Sequence, residues 1–118
     1  MTAATRRPNP RSLAALAMAE AELQANIMQA AKTLHWLRYH THDSHRSPAG
    51  FPDLVLVNEH QGRLIFAELK RQTEKQTPEQ IDWERQLRAV TAPPEFYLWR
   101  PSDWFDGTIL AILQRRLA

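Results

Sequence analysis

The sequence predicts an α/β domain, a small mixed β-sheet flanked by helices in the order helix, three strands, helix, strand, helix. Three observations predict it. Apolar residues keep helical spacing from Leu13 to His35, and again at Trp83, Leu87 and Val90. Two short apolar runs, DLVLVN (Asp53–Asn58) and RLIFAELK (Arg63–Lys70), flank Glu59-His60-Gln61-Gly62, which reads as a hairpin turn. A further strand-like run, EFYLWR (Glu95–Arg100), follows the second helical segment.

Residues 1–11 read as a flexible basic tail, because Pro8 and Pro10 oppose a helix there, and residues 12–118 as a single domain with Ser12 as helix N-cap. Arg6, Arg7 and Arg11 ahead of the apolar Leu13–Ala19 mimic a secretory leader. The spacing of Leu16, Leu23, Ile27, Ala30 and Leu34 carries past that point, so one helix from Leu13 to His35 is expected. Trp36–Thr41 follows as a strand, and His42–Gly50 as a polar loop. The two hairpin strands are apolar on both faces, which marks them as central and covered. Thr77 reads as an N-cap, Pro78 as the first helical residue and Gln80 as the capping-box partner. Trp83, Leu87 and Val90 form that helix's inward stripe, Pro93-Pro94 ends it, and a last helix covers about Ser102 to Leu117.

At 118 residues and 43% hydrophobic content the chain suits one folded domain. It has no cysteine, which excludes a disulfide scaffold, a thiolate metal site and a cysteine nucleophile. The longest apolar run, Leu13–Ala19, is far short of the ~20 residues of a membrane span, so no membrane partner is expected. The net charge is only +2, but twelve of the fifteen cations are arginine, whose planar fork suits phosphate.

The chemistry gathers at the open end of the hairpin. With the turn centred between His60 and Gln61, Asn58 faces Arg63, Asp53 faces Glu68, and Lys70 shares the face of Glu68. A turn with an odd residue count would separate them. Two opposed carboxylates destabilise a sheet unless a cation sits between them or one takes up a proton. Hard oxygen donors of this kind suit Mg²⁺, and a lysine alongside can orient a water or stabilise developing negative charge. An isolated E-L-K tripeptide is more often a surface ion pair. The register and the apolar flanks argue against that reading here.

Other residues are softer candidates. Gln80 divides evenly between helix capping and a role in the site. His40, His42, Asp43 and His45 are dense enough for a zinc site, or they are the polar end of the first strand with one histidine, His42, near phosphate. Arg38, Arg46, Arg71, Lys75 and Arg100 flank the carboxylates near strand ends or loops and suit phosphate contacts. Arg115 and Arg116 suit a helix C-terminus through the dipole alone. Trp83, Trp99 and Trp104 read as core or dimer contacts rather than base-stacking platforms.

Gly50-Phe51-Pro52-Asp53, fourteen further residues and Glu68-Leu69-Lys70 resemble the core of the PD-(D/E)xK nucleases. Within that superfamily the chain is most similar to stand-alone VRR-NUC proteins, many of them from phages. These share a G-x-P-D-L motif, an E-x-K motif on the next strand, a [ST]-P-x-Q helix start (Thr77-Pro78-Glu79-Gln80) and an early helical E-x-x-x-Q (Glu20 to Gln24). The resemblance covers about residues 18 to 104. It implies a restriction-endonuclease-like core and a Mg²⁺- or Mn²⁺-dependent endonuclease acting on DNA phosphodiesters, of the Holliday-junction or flap type. It also implies branched DNA as partner, a homodimer, and a cytoplasmic location, the host's if the gene is a phage's. By motif, Asp53 and Glu68 would bind metal, Lys70 would position or activate the water, Gln80 would support the site, and an acid of the first helix would complete the metal shell.

That helix offers two acids. Glu20 falls on the apolar stripe with Leu23 and Ile27, whereas Glu22 shares the polar face of Asn26, Gln29 and Thr33. Glu20 is therefore the expected ligand and Glu22 the alternative. Two rival functions remain: a DNA-binding or assembly protein that keeps the fold without cutting, and a zinc-dependent hydrolase built on His40, His42 and His45.

Overall fold

The computed structural model describes residues 9–42 and 48–115. Helix α1 (Pro10–Ala17) starts inside the expected tail. Pro10 occupies the first helical turn, where its missing amide costs nothing, so it opens a helix instead of preventing one. The cap is Asn9, whose Oδ1 accepts from the Ser12 amide at 2.8 Å, so Ser12 is the capped donor and not the cap. The expected single helix is interrupted at Met18 (φ −70°, ψ 126°) before α2 (Glu20–Thr33). The two halves serve different neighbours: α1 packs on α4 (Pro101–Phe105), α2 on the sheet. Leu13 and Leu16 are about half-exposed, so the shared periodicity did not mark a shared buried face.

The sheet runs β1 (Leu37–His40), β2 (Leu54–Asn58), β3 (Arg63–Leu69), β4 (Glu95–Trp99), in that spatial order. The first three strands are antiparallel and β4 lies parallel to β3. Parallel neighbours need a crossover, supplied by α3 (Pro78–Ala89). Asn58 opposes Arg63 and Leu54 opposes Ala67, the register expected from the turn. The last helix is two helices, α4 and α5 (Thr108–Gln114), parted at Asp106-Gly107, where Gly107 takes φ 85°.

One sheet face is sealed. Leu23, Ile27 and Ala31 of α2 and Ile109 and Leu113 of α5 pack in one core with Leu54, Leu56, Ile65, Ala67 and Trp99. The other face is covered only in part, contrary to the expectation for the hairpin strands: Leu37 is 75% exposed and Leu64 39%. α3 packs along β4, leaving the β1–β2 side open. No residue of α3 is fully buried, and Val90 is its exposed C-cap and not part of an inward stripe.

At the turn end of the hairpin, Arg63 is buried over the Trp36 ring, 5.1 Å from its centroid. Its Nε and Nη2 each donate to Glu95 at 2.7 Å, and its Nη1 donates to the Ile112 carbonyl at 2.7 Å. Arg115 also pairs with Glu95 at 2.5 Å, so its role there is an ion pair beyond any dipole effect.

Candidate active site

The Gly50-Phe51-Pro52-Asp53 segment carries the first acid to the open end of the hairpin. Gly50 has φ 88°, and a Cβ there would lie 2.5–2.7 Å from the backbone of Glu79 and Gln80. Only glycine lets this segment press against the start of α3. Phe51 meets Trp83 edge-on at 5.1 Å and Phe66 at 6.3 Å. Trp83 Nε1 donates to the Ala49 carbonyl at 3.2 Å, so this indole fastens the segment to α3. Pro52 is buried, and its carbonyl accepts from Thr41 Oγ1 at 3.0 Å. Asp53 is thus held from both sides.

Asp53 Oδ2 accepts from the Leu69 amide at 2.8 Å, at the end of β3. One step beyond the paired register, Asp53 stands opposite Glu68, and the two carboxyls are hydrogen-bonded. Glu68 is only 2% exposed. Burial first, then the charge of Asp53, pushes its pKa from 4.5 up to about 9, so in this state it keeps a proton. Lys70 is buried beside them, and its charge partly offsets the effect on both Glu68 and Glu20. Its amide donates to the Trp99 carbonyl at 3.1 Å, continuing the β3–β4 pairing.

Gln80 is bonded both to the helix start and to Glu68. Its Oε1 accepts from the Thr77 amide at 2.8 Å, and Thr77 Oγ1 accepts from the Gln80 amide at 3.2 Å, completing the capping box. Its Nε2 donates to Glu68 Oε1 at 2.8 Å. A single amide side chain starts α3 and orients the buried acid.

Glu20, at the first turn of α2, reaches the same corner. Burial, then a hydrogen bond to Glu74, raises its pKa to about 7, with Asp53 adding a smaller repulsion. The bond to Glu20 in turn lowers the pKa of Glu74. Glu22 is exposed on the opposite side of the helix. Glu74 was invisible as a candidate: it lies in the polar, aperiodic stretch Arg71–Gln76, and a lone acid between cations carries no spacing signal.

A groove of about 290 Å³ opens beside the acids, lined by Thr41, Gly50, Phe51, Asp53, Thr77 and Gln80 among others. Arg71 and Lys75 are exposed on the segment after β3, and His42 is exposed beyond β1 with its ring 4.1 Å from that of His40. Arg38 donates to the Trp36 carbonyl at 3.1 Å. Arg100 Nη1 donates to backbone carbonyls of the segment after β3, those of Arg71, Gln72 and Glu74. Arg46, Asp43, His45 and Arg116 lie outside the described residues. Among the described residues no three His, Asp or Glu side chains already form a ligand set, for zinc or any other ion. The acids stand in two hydrogen-bonded pairs, Asp53–Glu68 and Glu20–Glu74. Converging, partly buried oxygen donors that hold protons in place of a positive charge nonetheless fit a hard divalent cation. No helix among the described residues is long and apolar enough to cross a membrane.

A solved structure described as a VRR_NUC domain is similar in fold, with a TM-score of 0.60 and 19% identity, over 75% of this chain and 92% of that one. A comparison with curated protein sequences gives no match. A family profile for the VRR-NUC domain matches residues 2–93. The chain therefore belongs to the VRR-NUC domain family, within the PD-(D/E)xK nuclease superfamily.

Proposed function

We propose that this VRR-NUC chain is a Mg²⁺- or Mn²⁺-dependent endodeoxyribonuclease acting on branched DNA, Holliday-junction or flap. One observation carries the reading: Glu68 is bonded to Asp53 on one side and to Gln80 on the other, with Lys70 and Glu20 in the same corner. A protein that only bound DNA would gain nothing by setting buried carboxylates against phosphate.

Asp53, Glu68 and Glu20 would hold the cation, which supplies Lewis-acid neutralisation of the scissile phosphodiester. Asp53 is prepared for this by the Leu69 amide, which fixes its orientation through Oδ2. Gln80 keeps Glu68 turned toward Asp53. Once its proton is displaced, Glu68 becomes an oxygen donor held in place by that amide. Lys70 orients the attacking water and stabilises the negative charge that develops on the phosphoryl oxygens. Arg71, Lys75, His42 and Arg46 are assigned to the DNA backbone. A second copy would extend the small grasping surface and set two sites on one junction, acting in the cytoplasm, the host's for a phage-encoded chain.

Labelled four-way junction, flap, single strand and duplex, incubated with Mg²⁺, Mn²⁺, Zn²⁺ or EDTA, test this reading. Cleavage of junction or flap in Mg²⁺ or Mn²⁺, lost in Asp53→Ala and Lys70→Ala while DNA binding persists, is expected. Full activity of those variants would overturn the assignment, and cleavage only in Zn²⁺ would favour the histidine cluster.

A further inference from the structure

We propose that Arg100 is a positioning residue for Glu74: its guanidinium clasps the segment after β3 and holds the Glu74 carboxyl against Glu20. The proposal rests on the nuclease reading above and adds Glu74 to its acids.

The segment 71–74 belongs to no helix or strand, so no backbone ladder fixes it. Its carbonyls converge on one nitrogen. Arg100 Nη1 donates to Arg71 O at 2.7 Å, Gln72 O at 3.3 Å and Glu74 O at 2.6 Å. Charge-assisted bonds to carbonyls are among the stronger hydrogen bonds, and three on one donor group define a position rather than a contact. The clasp is itself anchored. The Arg100 amide donates to Asp103 Oδ2 at 2.8 Å, and the Asp103 amide returns a bond to the Arg100 carbonyl at 2.9 Å. A second tie lies alongside, where Gln72 Nε2 donates to Ser102 Oγ at 3.0 Å and Gln72 Oε1 accepts from the Ser102 amide at 2.9 Å. The junction of β4 and α4 therefore grips the segment at two points.

Within the segment, Glu74 Oε1 accepts from the Arg71 amide at 3.2 Å, and the Glu74 amide donates to the Arg71 carbonyl at 3.2 Å. This turn aims the Glu74 carboxyl at α2, where it bonds Glu20. Glu74 is an exposed residue, and two carboxyls at such range repel when both are ionised. A free segment would swing Glu74 into water. The clasp opposes that.

Arg100→Met, Gln72→Ala, Glu74→Gln and the double variant Arg100→Met with Glu74→Gln test the proposal through cleavage at saturating DNA, amide hydrogen exchange and the salt dependence of binding. Arg100→Met and Glu74→Gln should each lower kcat about tenfold, and the double variant no further, because both act through one carboxyl. The Arg71 and Glu74 amides should exchange about tenfold faster in Arg100→Met, and measurably faster in Gln72→Ala, while β2 and β3 keep their protection. If Arg100→Met does not fold, Gln72→Ala carries the exchange test. Additive losses in the double variant, or unchanged exchange at the two amides, would overturn the clasp. So would a salt slope reduced by about one in Arg100→Met, which marks a phosphate contact. A wild-type chain that cuts no DNA under any of these conditions would instead remove the nuclease reading and the proposal with it, and only that outcome strikes both.

Discussion

Gln80 and Glu68 are joined by a 2.8 Å hydrogen bond from the same amide group that caps α3. Helix start and site acid are therefore coupled, and one substitution separates them. Gln80→Glu keeps an oxygen for the Thr77 amide but offers no donor to Glu68. We expect its unfolding free energy within ~0.5 kcal/mol of wild type and its cleavage rate reduced about tenfold. Gln80→Ala should lose ~1 kcal/mol as well. Chemical denaturation beside a cleavage assay checks both, and undiminished cleavage by Gln80→Glu would leave Gln80 a capping residue alone.

Gly50 touches the backbone of that same helix start. Gly50→Ala forces a Cβ to within 2.5–2.7 Å of Glu79 and Gln80 at a positive φ. A loss of at least ~2 kcal/mol is expected, from left-handed strain plus overpacking. Gly62→Ala is the control. It has φ 64° but nothing within 4 Å, so its cost is the strain alone, ~1 kcal/mol. Equal urea midpoints for the two variants would refute the close approach.

The raised acids set a pH trend for the protein free of divalent cations. Glu68 and Glu20 have folded pKa values of about 9 and about 7, above their ordinary 4.5. The native state therefore binds more protons than the unfolded chain between those values, and stability falls as pH rises through the window. Glu74 and Glu95, whose pKa values are lowered, act only at more acidic pH. Urea midpoints in EDTA should decline from pH 5 to pH 9, and Glu68→Gln should flatten the upper part of the slope. A midpoint that climbs over that range would show Glu68 to be ionised.

Adding a cation should reverse the trend. Anything that binds the folded state alone stabilises it, by ~2.7 kcal/mol at a hundredfold excess over Kd. Thermal unfolding at pH 8 should shift upward with Mn²⁺ or Mg²⁺ in wild type and in Glu22→Gln. The shift should disappear in Asp53→Asn and shrink in Glu20→Gln. Equal shifts in Glu20→Gln and wild type would remove Glu20 from the ligand set.

The hairpin register was legible because strand periodicity and a four-residue turn admit few alignments, and the pairing of Leu54 with Ala67 sets Asp53 opposite Glu68 as the turn predicts. The α3 start was legible because Thr77-Pro78-Glu79-Gln80 is a local signal that no distant contact overrides. The break at Met18 was not, because no proline or glycine marks it. It arises from which neighbours α1 and α2 bury. The split between α4 and α5 is marked in the sequence by Gly107, which takes the left-handed conformation that parts the two helices. Glu74 and the carbonyl partners of Arg100 were not legible for a different reason: the contacts span 54 and 26 to 29 residues of chain, and nothing local encodes the encounter.

Arg63 gives the β2–β3 hairpin opposite electrical characters at its two ends. At the turn, a buried guanidinium is matched by Glu95, Gln61 and the carbonyls of Ile112 and Arg115. At the open end, carboxyls outnumber the single nearby ammonium of Lys70. The strands thus behave as a beam clamped at one end and loaded at the other. Substitutions around Arg63 should govern how long the molecule survives, those around Glu68 what it does, and the two properties should be adjustable independently.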